Sequence, residues 1–352
     1  MEVEVLRIVD LRNYASAEFR PAPATTVVVG PNGSGKSSLL EAAALFSTLQ
    51  SPRAGSLRVL VRDGYEEGGA KLETSDGTSL EVRLRAGRSV LRAAGSPVAA
   101  KDFLGRFSSV LFTPEDLDLV RGEPGLRRRA LDALALQVRR GHRGVQRDFE
   151  RALRQRNAAL RDGRPALAEL YSEPLAAAGG PVLEARRFLV ETLRAPAAAT
   201  YHELAQRGSI DLEYEDTSQA DDRTGAELVS YLHEVYVRTV PTDLDRGRTM
   251  VGPHRDDVQI RLDGRPARWY ASRGEQRAIT LALRLAELRL LEGAVLMLDD
   301  VMSELDPDRR RRLFDVAGDV QTIVTTTDLE SLPSSAKISS TWHVSNGVLE
   351  MA

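Results

Sequence analysis

The strongest constraint on this chain is that one chemical site is split across its two ends. The segment Gly30-Pro31-Asn32-Gly33-Ser34-Gly35-Lys36-Ser37 satisfies the pattern G-x-x-x-x-G-K-[ST] in full, while an acidic strand end, Asp299-Asp300, stands 263 residues beyond Lys36. In such a loop successive backbone N–H groups wrap phosphates, and the glycines permit the dihedrals and the close approach that this requires. Lys36 is expected to reach the β- and γ-phosphates of ATP, and the Ser37 hydroxyl to ligate Mg²⁺. Thr25 to Val29 reads as a buried strand, and Ser38 to Leu49 as a helix whose N-terminus faces the anion. Val295 to Leu298 reads as a second buried strand, bringing two carboxylates to the strand edge where open α/β sheets bind ligands. Asp299 is expected to hold Mg²⁺ through its water, and Asp300 to orient or deprotonate an attacking water. The two chain ends must therefore fold together.

The length, 352 residues, allows two domains with separate cores, and 42 % hydrophobic with 28 % charged residues is a globular composition. The absence of cysteine excludes disulfides and thiolate zinc sites. Glu2 and Glu4 occupy the place where a secretory signal needs a basic segment and an apolar run, and no stretch reaches bilayer-spanning length. These features predict a cytoplasmic protein without a membrane role.

Alternating patterns over Ala70–Thr74 and Ser79–Leu84, with Ser75-Asp76-Gly77 between them, predict a β-hairpin. From Pro124 the character turns helical, with Leu131, Leu134, Leu136 and Val138 on the apolar face. A second helix is expected from about Val145 to Arg161, ended by Gly163-Arg164-Pro165, with further helical segments to about Gln206. Pro196 is expected to kink or restart one of them. A strand at Ile210–Tyr214 and a helix from Ala226 to about Thr239 complete this region, and strand character returns at Asp257–Leu262. The fold class that follows is α/β. A P-loop ATPase head is made from residues 1–119 and 246–352, with a mostly helical arm over 120–245 inserted between its halves.

Three further elements surround the acidic strand. Ser272 and Glu275 form S-x-x-E before a helix, which is a capping box, and the same open helix N-terminus with Gly274 could present a hydroxyl and N–H groups to a γ-phosphate. This element lies some two dozen residues ahead of Asp299, an order that resembles the signature of ABC-type ATPases. In that class the signature of one subunit closes over ATP held by another. Asp306 before Pro307 is an N-cap by local chemistry and stands at the position of the ABC D-loop. Where that class usually has a histidine, Thr325-Thr326-Thr327-Asp328 offers Thr327 or a neighbour, so slow hydrolysis is expected. Glu115 or Asp116 is the nearest candidate for a glutamine-loop residue. His254, in Gly252-Pro253-His254-Arg255-Asp256-Asp257, reads as structural, because no second histidine stands at ligand spacing.

The net charge of -3 conceals an asymmetry: from Arg121 to Arg164 there are thirteen arginines against five acids. Such an excess points to a polyanion, although a solvated helical face in an arginine-rich chain would give the same count.

Taken together, these motifs resemble the RecF family, the bacterial replication and repair ATPases of the SMC/Rad50-like ABC class. The resemblance rests on Leu11-Arg12-Asn13-Tyr14, Gly30 to Ser38, Arg127-Arg128-Arg129, Gly252 to Asp257, Ser272 to Arg277 and Asp299 to Asp306. It departs from the family in two mild ways: Glu275 precedes Gln276 in the signature, and Ser37-Ser38 replaces a common Thr-Asn. The resemblance implies a Rad50-like head with a short arm and ATP-dependent homodimers. It implies binding of double-stranded DNA and of single/double-strand junctions, with slow DNA-stimulated hydrolysis. It also implies a partnership with RecR and RecO in loading RecA at gaps. By the same analogy Arg12 reaches the nucleotide. Arg127, Arg128, Arg129, Arg139, Arg140 and Arg143 are the expected DNA contacts. A transporter coupling subunit is the competing reading; there the loop and the acidic strand stand far closer in sequence, and the insertion is not arginine-rich.

Overall fold

Both chain ends meet in one six-stranded sheet of a computed structural model that describes residues 1–85 and 88–352. Across that sheet the strands run Val348–Met351, Ile338–Ser345, Thr25–Val29, Thr322–Thr326, Val295–Asp299 and Ser109–Phe112, and all pairings but the first are parallel. Val295–Asp299 and Thr322–Thr326 are buried throughout. Parallel strands covered on both faces need apolar residues at nearly every position, which explains the run Val-Leu-Met-Leu. The threonines of Thr322–Thr326 break that rule, and their hydroxyls are used in the site described below.

A second six-stranded sheet is antiparallel and carries the predicted hairpin, with Glu73 opposite Ser79. It covers the helix Lys36–Thr48 that follows the phosphate loop: Leu6, Ile8, Leu72 and Val82 share one core with Leu39, Leu40 and Phe46.

The arm begins with helices Pro124–Val138 and His142–Arg161, close to their predicted limits. Of the two outcomes expected at Pro196, a kink or a restart, the restart does not occur: helix Ser172–Ala205 runs through both Pro181 and Pro196. Each proline removes a helix hydrogen bond, at a cost of about 3 kcal/mol. Burial of Val182, Leu183, Leu193 and Ala197 around them opposes that cost.

The two halves of this helix belong to different cores. Leu189, Leu193 and Tyr201 pack with Leu281, Leu285 and Leu296 of the head, whereas Leu175, Val182 and Leu183 pack with Phe149, Leu228 and Tyr236. A three-stranded sheet joins the regions further. Asp257–Leu262 pairs antiparallel with Ile210–Glu215, so a strand from each side of the 245/246 boundary shares one ladder.

Buried charge also organises the arm. Arg156, fully buried, donates to Asp243 (2.8 Å), Thr249 (2.7 Å) and the Tyr236 carbonyl (2.6 Å). His254 packs beside Phe149, and its Nε2 lies 2.9 Å from the Thr249 carbonyl. Burial pushes its pKa down to about 4, so it is a neutral structural residue.

Candidate functional site

The phosphate loop is held from behind by residues far from it in sequence. Asn13 donates to the Ser34 carbonyl (2.7 Å), Tyr14 to the Gly35 carbonyl (3.0 Å), and the Gly347 amide to Ser34 as well (3.0 Å). Gly35 has φ +122, and a Cβ there would lie 2.8 Å from the Asn13 amide, so both its conformation and its surroundings demand glycine. The loop lies against an open cavity of about 1030 Å³ that Asn32, Gly33, Gly35, Lys36, Ser37 and Ser38 help to line, with Arg12 and Asp300.

At the mouth of the helix the two chain ends touch. Ser37 Oγ donates to Asp299 Oδ1 at 2.9 Å. The same oxygen accepts from Thr325 Oγ1 at 2.8 Å, and Thr325 Oγ1 in turn accepts from the Asp300 amide at 3.0 Å. Thr325 is completely buried. One hydroxyl thus fixes the carboxylate of Asp299 and the backbone of Asp300. That restraint matters because Asp300 has φ +51, a left-handed conformation uncommon for a residue with a side chain. Sequence reasoning pointed to Thr327 or a neighbour in this stretch; Thr327 itself is exposed and does not line the cavity. Thr325 is the threonine whose strand register opposes Asp299.

Electrostatics separate the two aspartates from their lysine. Lys36 Nζ donates to the carbonyls of Gly30 (2.7 Å) and Pro31 (3.1 Å). Burial lowers its pKa, against the opposing charges of Asp300 and Asp299. Burial raises the Asp300 carboxyl, with help from the charges of Asp299 and Glu304 and against that of Lys36. Asp300 Oδ1 is buried without a hydrogen-bond partner. A buried, unpaired oxygen on a carboxyl of raised pKa is suited to accept a proton from water.

Arg12 lines the cavity, and its guanidinium grips Glu41 at 2.8 and 3.0 Å. Glu41 also binds Arg53 (3.1 Å) and Ser51. Burial alone would raise the Glu41 pKa; the bonds from Arg12 and Ser51 and the charge of Arg53 bring it below its usual value. Asn13, Tyr14, Glu41 and Thr325 had no site role in the sequence reading, because each acts through a partner distant in the chain.

The signature elements lie elsewhere on the chain. Ser272 and Glu275 form the predicted capping box at the start of helix Arg273–Leu290, with Glu275 Oε2 accepting from the Ser272 amide at 2.8 Å. These bonds lower the Glu275 pKa. Asp306 caps the helix Pro307–Ala317, accepting from the Arg309 amide at 3.0 Å. None of Ser272, Gly274, Glu275 and Asp306 lines the loop cavity of its own chain. The glutamine-loop candidates need correction: Asp116 is spent on capping Thr113 and on Arg284, and it lines a different cavity together with Glu115.

The arginine set is also corrected. Arg127 is only 7 % exposed, holds Asp257 with two bonds (2.7 and 2.9 Å) and donates to the Leu119 carbonyl at 2.8 Å. A guanidinium this buried, with its charge paired to Asp257, is not presented to a surface polyanion. Arg128 is half-buried on the Asp256 carbonyl (2.6 Å), and Arg143 donates to the Thr48 and Leu49 carbonyls at the end of the phosphate-loop helix (3.4 and 3.2 Å). Arg139 lies over the Phe188 ring at 4.9 Å, while Arg129 and Arg140 are exposed. Among the described residues no helix is long and apolar enough to cross a membrane.

Comparison with known proteins agrees with this geometry. Residues 2–350 match the family described as RecF/RecN/SMC N terminal domain. The DNA replication and repair protein RecF of Clavibacter michiganensis subsp. michiganensis is 37% identical over 372 residues, covering 95% of this chain and 92% of that one. The RecF of Anaeromyxobacter sp. (strain Fw109-5) is 38% identical over 342 residues, covering 93% of each. A solved structure of the recombination mediator RecF with ATP, from the RecFOR pathway, superposes with a TM-score of 0.87 at 26% identity, over 100% of this chain and 97% of that one. A crystal structure of an Smc head bound to the C-winged helix domain of ScpA shares the fold, with a TM-score of 0.56 at 16% identity over 100% of this chain and 97% of that one. With sequence and fold agreeing over almost the full length, the chain belongs to the RecF family of DNA replication and repair proteins, within the SMC-like ABC ATPases.

Proposed function

We propose that this chain is an ATP-driven switch. It binds ATP at the Gly30–Ser38 loop, dimerises through the signature of a second copy, binds double-stranded DNA and hydrolyses ATP slowly to reset. The observation that carries the reading is the bond from Ser37 to Asp299, which completes a phosphate site from both chain ends while Ser272 stands outside it. A site missing its signature within one chain calls for a second chain. Trp269 and Tyr270, 74% and 63% exposed directly ahead of Ser272, supply aromatic surface of the kind that interfaces bury.

The Ser37 hydroxyl and the Asp299 carboxylate form an oxygen donor set suited to Mg²⁺, an ion that takes its remaining ligands from phosphate and water. Bound there, Mg²⁺ would neutralise charge on the phosphates. Asp300 orients and deprotonates the attacking water, and Thr325 keeps both aspartates in place. With an exposed threonine, Thr327, in place of a histidine, transition-state support is weak and turnover slow.

The relatives' role in replication and repair, and the RecFOR setting of the solved homologues, support action with RecR and RecO. In this reading the switch helps to load RecA at single-strand gaps and duplex junctions. Mass in solution with ATP and Mg²⁺ is expected to rise to that of a dimer for the parent, and to stay monomeric for Lys36→Met and Ser272→Arg. Dimers persisting unchanged in both variants would overturn the trans-site mechanism.

A further inference from the structure

Four consecutive arginines, Arg309 to Arg312, stand in the helix Pro307–Ala317 that Asp306 caps. Three of them are engaged away from the signature. Arg310 donates to the Leu305 and Ser331 carbonyls (2.8 and 3.0 Å), and Arg312 to the Leu204 carbonyl (2.8 Å). Arg311 pairs on the surface with Asp308 at 2.9 Å. Arg309 turns toward the signature. A Cβ on Gly274 would lie 3.1 Å from Arg309 Nη1, so the glycine leaves room for a guanidinium over the first turn of helix Arg273–Leu290. Asp306 holds it there: one carboxylate oxygen accepts from the Arg309 amide at 3.0 Å, and the other lies 3.1 Å from Nη1.

The signature presents a charge problem that this arginine answers. The amide and the hydroxyl of Ser272 both donate to Glu275 Oε2 at 2.8 Å. The donors expected to meet a γ-phosphate therefore already hold a carboxylate, and an arriving phosphate meets that negative charge at contact range. Arg207 stands 3.5 Å from Glu275, but its side chain is 74% exposed. The Arg309 side chain is 21% exposed and is pinned by its ion pair beside Gly274.

Positive charge is also scarce on the side of the phosphate loop. Lys36 serves the phosphates, Arg12 is tied to Glu41, and an exposed Thr327 stands in place of a histidine. In hydrolysis, water adds to the γ-phosphorus and its proton passes to Asp300. The bond to the ADP oxygen breaks, and phosphate leaves. Throughout, negative charge on the equatorial oxygens is what the surroundings must support. A guanidinium, planar and permanently charged, can bridge two such oxygens.

We infer that Arg309 acts across the dimer, turning from Asp306 to the γ-phosphate of the ATP held by the other copy and supporting the charge of transfer. The assignment rests on the reading of the site as shared between two chains. Glu275 keeps Ser272 capped until the phosphate arrives, and Asp306 keeps Arg309 beside it.

The test mixes two inactive chains. Lys36→Met supplies an intact signature and Ser272→Arg an intact loop, so their mixed dimer holds one complete site. Arg309→Ala added to the Lys36→Met chain should lower the recovered hydrolysis at least about tenfold, as loss of one charge-stabilising donor does. Added to the Ser272→Arg chain, it should change nothing. Arg311→Ala, an equal charge change on the surface of the same helix, should be silent on either chain. Dimer mass with nucleotide analogues separates a transition-state contact from damage to the signature's fold. On the otherwise unaltered chain, Arg309→Ala should dimerise nearly like the parent with ADP–beryllium fluoride, which mimics the bound γ-phosphate. With ADP–aluminium fluoride, which mimics the phosphoryl group in transfer, it should dimerise at least about tenfold more weakly. Arg309→Lys, which keeps the charge and loses the planar fork, should fall between. Equal loss with both analogues, or equal effects from either chain of the mixture, overturns the role of Arg309 and leaves the shared site intact. A mixture of Lys36→Met and Ser272→Arg that recovers no hydrolysis overturns the shared site and the Arg309 assignment together.

Discussion

Around the phosphate loop the polar side chains converge on one site, whereas along the arm the arginines divide between the interior and the surface. Ser37 and Asp299, from opposite chain ends, are hydrogen-bonded to each other, and Lys36 folds onto the Gly30 carbonyl of the same loop. Arg127 and Arg156, from the stretch of thirteen arginines, are instead buried on Asp257 and Asp243. A fixed spacing of glycine, lysine and serine encodes a backbone shape, so it identifies a site. A count of like charges encodes only composition, and burial then sorts those charges.

The comparison is sharpest at Asp300. Asp300→Asn should lower hydrolysis by about 10²–10⁴ while sparing ATP-dependent dimers, as loss of a general base does. Because burial raises its carboxyl, the acid limb of hydrolysis should lie at higher pH than an unperturbed aspartate would give. The same raised value means that the folded state disfavours the ionised form, so this group's destabilising effect appears as pH rises through its titration. The asparagine variant should therefore melt higher than the parent at neutral pH; an equal or lower melting point would contradict the burial argument.

Arg127→Ala should cost about 3–5 kcal/mol in denaturant unfolding, since it leaves Asp257 without its partner. The exposed Arg129→Ala should change stability by less than about 0.5 kcal/mol. If the two were equally mild, the division between interior and surface arginines would fail.

Thr325→Val should reduce hydrolysis about 10- to 100-fold with ATP binding kept, as loss of a group orienting a metal ligand does. Thr325→Ser should restore most of the rate; failure of that rescue would point to packing instead. Trp269→Ala should weaken the ATP-bound dimer by about 1–2 kcal/mol in sedimentation. An unchanged dimer constant would remove that aromatic pair from the interface.

Much of the fold was legible because it rests on local pattern. The strand before the loop, the hairpin around Ser75-Asp76-Gly77, the buried strand ending in Asp299 and the caps at Ser272 and Asp306 all appear where their residue types required. What escaped depends on register and contact between distant segments. Thr325 and Thr327 are alike in sequence, and only the pairing of Thr325 with Asp299 across two parallel strands separates them. Asn13 and Tyr14 support the loop from a neighbouring sheet, and Pro196 continues a helix because buried neighbours hold it there.

The central claim is that one site is built from two copies of the chain, and mixing two inactive variants tests it directly. Lys36→Met retains Ser272, and Ser272→Arg retains the phosphate loop, so a mixed dimer contains one complete site. Each variant alone should hydrolyse ATP at background rate, and activity should return when the two are combined. Contradiction would be a Ser272→Arg chain that turns over like the parent on its own, or a mixture no more active than its components.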